Sequence, residues 1–544
     1  RLVLLNPVYS VRFIGTLFSL VPMHRMDFTF GQVGVHHTYR THTGEVTSLG
    51  KLSGGVAVTS ITLPGQTIEA MRIRLQVSTK PQIYDVERYI RADKNPTVTA
   101  MADVGAPPLY EILLSGLTQP RRMATDMGGF FTPRRYMILP KGGSVNEDGK
   151  PVGRAVCYPL VTNPDFVPVR SNNNDVATVA KRINAPKVDP IPPDRFVKYA
   201  REYVRALVPV AGCGGRLSIE RVVELQDRPT QRGRSDKVRT WMRPPGKIHI
   251  ESFMKGESYA KPNAPRNIST VPTVHGLQYS SYTLAFKEDV LMKTPWFMPG
   301  LSPARVARRI VHLSQKHGCL TESDYTTFDG SINAWLRRNV DQPSMLRWVA
   351  PEQREELKTL MDAELVAEGS TATGVRYSVD CTQLSGSPGT TNSNSVHNAF
   401  AAYCALRESK LTPGVAWAHI GAIGGDDGVI PIEPSIMERT AAYLGLKVKC
   451  ERRFGSLAFL GRIFHQSHCG ILGSLQDPER TWRKLHLSFA PNERSDAQAL
   501  ANRAAGYLAL DPAAPVTSNW CRAVLRITGL VGLITDDAPY AVLQ

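Results

Sequence analysis

Two pairs of carboxylates, Asp324 with Asp329 and Asp426 with Asp427, are the residues of this chain best suited to chemistry. They lie far apart in sequence, which makes sense if the fold brings them together to hold a pair of Mg²⁺ ions. Two such ions activate a 3′-hydroxyl and stabilise the pyrophosphate leaving a nucleoside triphosphate. The adjacent acids at 426 and 427 repel one another unless cations neutralise them, a physical reason for metal there. A Gly-Asp-Asp triplet can also be a plain tight turn, and a chain this long contains one by chance roughly one time in ten. The neighbouring blocks decide between the two readings.

Each acid needs an element to aim it. Cys319–Ser323 leads into Asp324 as a strand does, and the sequence after Gly330 is helical in character. Asp324 is therefore expected at a strand end, with Asp329 one turn further on. There Asp329 can accept a hydrogen bond from a sugar hydroxyl or cap the helix that follows. Residues 385–394, Ser-Gly-Ser-Pro-Gly-Thr-Thr-Asn-Ser-Asn, fit the pattern SGxxxTxxxN and run into a helix over 395–406. A Gly-rich loop entering a helix brings backbone N–H groups and small hydroxyls close to a nucleotide. Asn394 is expected to face the same sugar as Asp329. Residues 418–424 and 428–432 read as strands flanking the Asp426-Asp427 pair at the turn of a hairpin. Upstream, Lys255, Lys261 and Arg266 place three cations where each can contact a triphosphate.

The 544 residues, 42% hydrophobic, can bury more than one core, and the net charge of +17 favours nucleic acid or an anionic membrane surface as partner. The eight cysteines (157, 213, 319, 381, 404, 450, 469 and 521) are scattered without a CxxC pair. That argues against a zinc cluster or a secreted disulfide framework and for a reducing environment. No apolar run is long enough to span a bilayer; Phe13–Val21 is too short. The first residue is Arg1 rather than Met, so the chain is expected to be part of a longer polypeptide.

Residues 1–185 read as a mixed region, with strands expected over Val56–Leu63 and Met71–Val77. His36, His37 and His42 match no zinc spacing. Ser171–Asp175 has turn chemistry, and Pro186–Pro193, half proline, marks a connector before a helix over Asp194–Val208 with Asp194 as N-cap. Between Arg228 and Lys247 basic residues dominate: Arg228, Arg232, Arg234, Lys237, Arg239, Arg243 and Lys247 against Asp236. A solvated loop and a phosphate-tracking surface with Trp241 and Met242 are both open readings.

In order, Lys255–Arg266, Asp324–Asp329, Ser385–Asn394 and Gly425–Asp427 resemble motifs F, A, B and C of viral RNA-dependent RNA polymerases. Phe459-Leu460-Gly461-Arg462 looks like motif E, which supports the nascent strand in that family. Leu444–Lys449 sits where motif D lies, so that Lys447 and Lys449 both compete as the general acid. Thr230–Gly233 is a candidate motif G. The closer resemblance is to the nodavirus RNA replicases. It is carried by Tyr282–Phe286, the Gly-Asp-Asp-Gly turn, Leu446–Arg452, Phe459–Phe464 and Gln476–Leu487. It spans residues 190–540 and continues more weakly through the first 185. One departure stands out: the residue before the Gly-Asp-Asp triplet is Gly424.

The resemblance implies an α+β right-hand fold with fingers (186–320 plus insertions), palm (320–465, an antiparallel sheet backed by helices) and thumb (466–544). Residues 1–185 would link to a capping and membrane portion outside this chain and offer ring contacts. Asp324 and Asp426 would ligate Mg²⁺, for which Mn²⁺ can substitute, with Asp427 contributing. Asp329, Ser385, Gly386, Thr390 and Asn394 would recognise the ribose, and Lys255, Lys261 and Arg266 the triphosphate. The expected activity is template-directed RNA synthesis from NTPs, with RNA template and product as partners. Further expectations are self-association into a ring and attachment to an organelle membrane in the host cytoplasm, the mitochondrial outer membrane in the first instance. A reverse transcriptase or DNA polymerase would share the palm acids but is expected to carry a bulky sugar gate near 329. A membrane-bound RNA-binding scaffold with a vestigial palm would not need the full set of motifs.

Overall fold

The computed structural model describes residues 154–530 except 162–164, 169–171, 227–228, 240–241, 243, 261–262 and 490–494. It also describes 80–92, six strands before residue 140 and scattered residues between 67 and 113. The chain forms two compact units: 1–177 with 256–265 and 479–500, and 178–255 with 266–478 and 501–544.

The first unit holds a seven-stranded sheet whose meander Arg25–Gly31, Gly34–Arg40, Val46–Lys51 is joined by Thr62–Leu63 and three later strands. Of the strand expected over Val56–Leu63, only Thr62–Leu63 lies within the described residues. Met71–Val77 is a correction: Met71 and Ile73–Leu75 are helical, and Met71 and Leu75 are buried in one cluster with Val86, Ile90 and Leu109. A four-residue apolar spacing suits a helix face as well as the alternation suited a strand. Ser171–Asp175 is a second correction, since Asn172–Thr178 is helical. Asn174 and Asp175 are buried there, so packing overrides their turn preference. His36 and His37 fall in the Gly34–Arg40 strand, whereas His42 and Phe13–Val21 lie outside the described residues. Among the described residues no helix is long and apolar enough to cross a membrane.

The second unit contains, in chain order, strands β1 (His249–Met254), β2 (Asn267–Thr270), β3 (Leu320–Tyr325), β4 (Glu368–Thr371), β5 (Arg376–Ser378), β6 (Ala422–Gly424), β7 (Asp427–Ile430) and β8 (Val448–Arg453). Its principal helices are α1 (Asp194–Leu207), α2 (Thr273–Asp289), α3 (Pro303–His317), α4 (Arg354–Leu365), α5 (Thr390–Glu408) and α6 (Pro434–Tyr443). The connector before α1 is irregular over 187–193, as its prolines dictate. Pro193 rather than Asp194 takes the N-cap, and Asp194 sits in the first turn, where its charge suits the helix dipole. The basic stretch is helical over Pro229–Val238, which displaces the loop reading there; Arg232, Arg234 and Lys237 are exposed on it.

Strands β2-β1-β4-β5 form a mixed sheet in which only β1 and β4 run parallel. Strands β6-β7-β3-β8 form a sheet that is antiparallel throughout. Successive residues of a strand face opposite sides, and both sides of this sheet are covered. Leu320, Ala422 and Val429 pack with Val306, Ile310 and Leu313 of α3. Tyr325, Ile423 and Ile430 join the main core with Val396, Phe400 and Tyr403 of α5 and Met437 and Ala441 of α6. Burial on two faces explains why these strands read as short apolar runs rather than as clean alternation.

Candidate active site

The hairpin β6–β7 closes through Gly425 and Asp426 alone, because Gly424 pairs directly with Asp427. Gly425 takes φ +65°, which glycine allows at the first position of a two-residue turn. Helix α5 pins this turn from below. Asn398 Nδ2 donates to the carbonyls of Gly425 and Asp427, each at 3.1 Å, and the Gly425 N–H donates to Ser395 Oγ at 2.9 Å. Asp426 is left exposed at the apex and Asp427 half-buried. The glycine at 424 has its own cause, since a Cβ there would lie 2.8 Å from Leu460 Cδ2.

β3 brings the first acid alongside. It pairs with β7 through Ser323 and Gly428, and the same register continued by one residue sets Asp324 beside Asp427. On its other edge Asp324 pairs with Lys449 of β8. Burial and the Asp426 carboxylate push the Asp324 pKa up, while the Lys449 ammonium pulls it down. Lys449 itself is bonded to Glu451, which raises its pKa. Lys447 is exposed, and its carbonyl accepts the Thr326 N–H at 2.9 Å.

Asp329 follows in a short helix, Phe328–Ser331, entered through Thr327 at a left-handed φ of 52°. Its carboxylate does not cap that helix. Asn394 Nδ2, from α5, donates to Asp329 Oδ1 at 2.7 Å, leaving Asn394 Oδ1 buried without a hydrogen-bond partner. Burial raises the Asp329 pKa and the Asp426 charge adds to it, against the Asn394 hydrogen bond and the charges of Arg266 and Arg337. Asp329 thus feels the 385–394 loop-helix passage, the 425–427 hairpin and the 255–266 block at once.

The remaining predicted residues surround this centre. Ser385 Oγ donates to the Asn267 carbonyl at 2.8 Å and accepts the Ser269 N–H at 3.0 Å, so its hydroxyl fastens the loop to β2. Gly386 forms a bridge with Thr270 on the same strand. Thr390 Oγ1 donates to the Leu384 and Ser387 carbonyls at 2.6 and 2.8 Å, closing the loop at the start of α5. Lys255 and Arg266 are joined by a backbone hydrogen bond of 2.9 Å at the open end of β1 and β2. Lys261 lies outside the described residues. Phe459 is buried, Leu460 partly so, and Gly461 has φ +71°. The Arg462 guanidinium is taken up by Asp511 and Ser474.

A buried ion cluster stands behind the Asp329–Asn394 pair. Arg337 Nη1 meets Asp341 Oδ2 at 2.7 Å, and His397 Nε2 of α5 lies 3.3 Å from Asp341 Oδ1. Burial alone would raise the Asp341 pKa, but Arg337 and His397 outweigh it and hold it at about 2. Arg337 also donates to the Cys381 and Thr382 carbonyls, both at 3.1 Å, where Asp380 and Cys381 adopt φ of 49° and 68°. Such left-handed residues persist when surrounding contacts over-determine them. The next residue, Gln383, donates its N–H to the Asp329 carbonyl at 2.8 Å.

The acids fit a small hard cation. The Asp426 charge disfavours ionisation of Asp324, and both residues emerge at the same sheet end. Among the described residues no group of three or more His, Cys, Asp or Glu side chains could hold a metal ion. Mg²⁺ is commonly held by one or two carboxylates with water and substrate phosphates completing the shell, so two acids suffice. Ser395 and Asn398, which hold the hairpin turn, are the residues of the candidate site that sequence reasoning missed. Their signal was the density of Asn and Ser in an otherwise apolar helix.

Residues 286–505 match the family model for viral RNA-dependent RNA polymerases. The chain is 36% identical to the RNA-directed RNA polymerase of Pariacoto virus, over 97% of this chain and 53% of that protein. It is 34% identical to that of Striped jack nervous necrosis virus (90% and 49%) and 31% identical to that of Flock house virus (69% and 39%). The chain therefore spans only 53% and 49% of the lengths of its first two relatives. The crystal structure of the RNA-dependent RNA polymerase of a human picorbirnavirus superposes with a TM-score of 0.52 at 15% identity, covering 65% of this chain and 72% of that one. That likeness fixes the fold as the right-hand α+β type.

Two stability effects follow from the buried charges. Because the folded pKa of Asp329 lies above its usual 3.8, ionisation opposes folding at neutral pH, and that opposition vanishes as pH falls and the group protonates. Asp329→Asn is expected to melt above wild type at pH 7, with the gap closing in acid, as thermal denaturation across pH will show. Arg337→Met strands the buried Asp341 carboxylate and is expected to lower stability in urea by about 3–5 kcal/mol. Adding Asp341→Leu should restore most of the loss.

Proposed function

The chain is a homologue of the nodavirus RNA-directed RNA polymerases with a viral RNA-dependent RNA polymerase domain over residues 286–505, and on that premise we propose that it catalyses template-directed addition of NTPs to an RNA 3′-hydroxyl. The observation that carries this reading is the Asp329–Asn394 hydrogen bond, with Asn394 Oδ1 buried and unpartnered and Asp329 within electrostatic reach of Asp426. A buried acceptor without a partner among the side chains calls for a donor from outside the chain, water or ligand. A ribose 2′-hydroxyl is such a donor, and it separates RNA precursors from DNA precursors.

Asp324 and Asp426, with Asp427 contributing, would hold Mg²⁺, or Mn²⁺ in its place. When bound, the ions supply activation of the 3′-hydroxyl and stabilisation of the leaving pyrophosphate. The chain's own residues do the rest. Asn394 and Asp329 orient the sugar, held by Thr390 and the Ser385-Gly386 loop. Lys255 and Arg266, together with Lys261, neutralise the triphosphate. Lys449 sits on the rung beside Asp324, and Lys447 one alternate residue before it, so either can carry a proton to pyrophosphate. Asn398 and Ser395 fix the turn that presents Asp426. The Phe459–Arg462 segment, packed through Leu460 against Gly424, would support the nascent strand.

The setting belongs to the same proposal: replication of a positive-strand viral genome in a ring-forming complex on an organelle membrane, the mitochondrial outer membrane by family likeness. The net charge of +17 and the nodavirus relatives support it.

Extension of a primed RNA template tests the chemistry. Asp426→Asn is expected to bring NTP addition to background while its melting temperature stays near wild type; extension at the wild-type rate would refute the assignment. Asn398→Ala releases the turn without touching an acid, and single-turnover addition should slow on the order of 10²-fold.

A further inference from the structure

A cavity of about 560 Å³ opens between α1, the loop after it and the helical run that ends at Trp348. Arg201 and Arg205 of α1 line it together with Arg338, Arg347 and Arg354, and neither an Asp nor a Glu is among the lining residues. None of the hairpin acids, Asp324, Asp329 or Asn394 lines it either. Other arginines of this unit have carboxylate partners: Arg195 with Glu408, Arg216 with Glu356, Arg407 with Glu202. The cavity arginines have none among the described residues. Arg347 donates to the Val208 and Pro209 carbonyls at 2.7 and 3.0 Å, and Arg354 to the Leu346 carbonyl at 3.2 Å. The side chains of Arg201, Arg205 and Arg338 make no hydrogen bond or ion pair among the described residues, and all three are exposed.

Five guanidinium groups around one small volume repel each other, and arginine cannot relieve that by losing its proton. Arg201 and Arg205 are also four apart on a helix, where like charges destabilise. An anion in the cavity would relieve that repulsion. We propose that this cavity binds a compact oligophosphate, namely the triphosphate group of a free nucleotide or of an uncapped RNA 5′ end. The volume is that of a nucleotide-sized ligand. A phosphodiester strand brings one charge per nucleotide, too few in this space for five arginines, whereas adjacent phosphates concentrate several. The planar forks suit phosphate oxygens bidentately. Arg347 and Arg354, fixed by backbone carbonyls, form the rigid wall, and Ala200, Val204 and Leu346 supply an apolar floor for the remainder of the ligand.

The test measures binding without nucleotide addition, so its failure is distinct from failure of the polymerase reading. Inorganic tripolyphosphate, ATP, and one short RNA with either a 5′-triphosphate or a 5′-hydroxyl are titrated calorimetrically into the full 544-residue chain without divalent metal. The variants are Arg201→Ala/Arg205→Ala/Arg338→Ala and its all-lysine counterpart, which keeps the charge and loses the fork. Tripolyphosphate is expected to bind wild type and to bind the alanine variant roughly tenfold or more weakly, with the lysine variant between them and primer extension unchanged in both. ATP matching tripolyphosphate identifies free nucleotide as the source; a marked preference for 5′-triphosphate RNA over ATP identifies the RNA end. Equal tripolyphosphate binding by wild type and both variants overturns the site. So does an equal loss for 5′-hydroxyl and 5′-triphosphate RNA on substitution, which would mark a strand-binding groove instead.

Discussion

The site depends on one side-chain amide. Asn398 donates to the carbonyls on either side of Asp426 and so fixes the two-residue turn that carries this carboxylate next to that of Asp427. One helical turn earlier on the same face, Asn394 reaches Asp329, and Ser395 takes the Gly425 N–H between them. Helix α5 therefore sets the distance between the acids at the hairpin and the Asp329–Asn394 pair proposed to read the sugar. It can do so because it is buried nearly throughout, and its apolar side is locked into the core through Val396, Phe400 and Tyr403. Asn and Ser are indifferent helix formers that compete for backbone partners. A buried helix that keeps them breaks a local rule for the sake of positioning.

The other flank of α5 is held by charge. His397 touches Asp341, Asp341 holds Arg337, and Arg337 grips the Cys381 and Thr382 carbonyls just before Gln383, which bonds the Asp329 main chain. A buried ion cluster of this kind adds little net stability over apolar packing. Its effect is geometric: it leaves few ways for the Asp380–Gln383 segment, and with it Asp329, to shift. The rigid centre contrasts with the arginine-lined cavity on the outer face of α1, where charges of one sign lie open to a ligand.

Much of the site was legible from residues. The hairpin at 425–427, the strand carrying Asp324 and the loop-to-helix passage at 385–394 all have local causes, in turn chemistry, apolar runs and glycine spacing. What was not legible depends on distant partners. Asn398 and Ser395 are ordinary polar residues until the turn arrives beneath them, and Ser385 and Thr390 have hydroxyls whose partners are set by β2 and the loop itself. The helix-cap reading of Asp329 failed because Asn394, sixty-five residues on, takes the carboxylate. In the fold, Met71–Val77 and Ser171–Asp175 misled for the same reason: a short apolar run fits either period, and buried Asn174 and Asp175 obey packing rather than turn preference.

The claim that one helix performs two separable tasks is tested most directly by comparing incorporation of an rNTP with its dNTP in single turnovers by Asn394→Ala and Asn398→Ala. The account predicts that Asn394→Ala loses most of the discrimination between the two sugars, while Asn398→Ala slows both nucleotides alike and keeps the discrimination. Equal slowing of both nucleotides by Asn394→Ala, or loss of discrimination in Asn398→Ala, would contradict it.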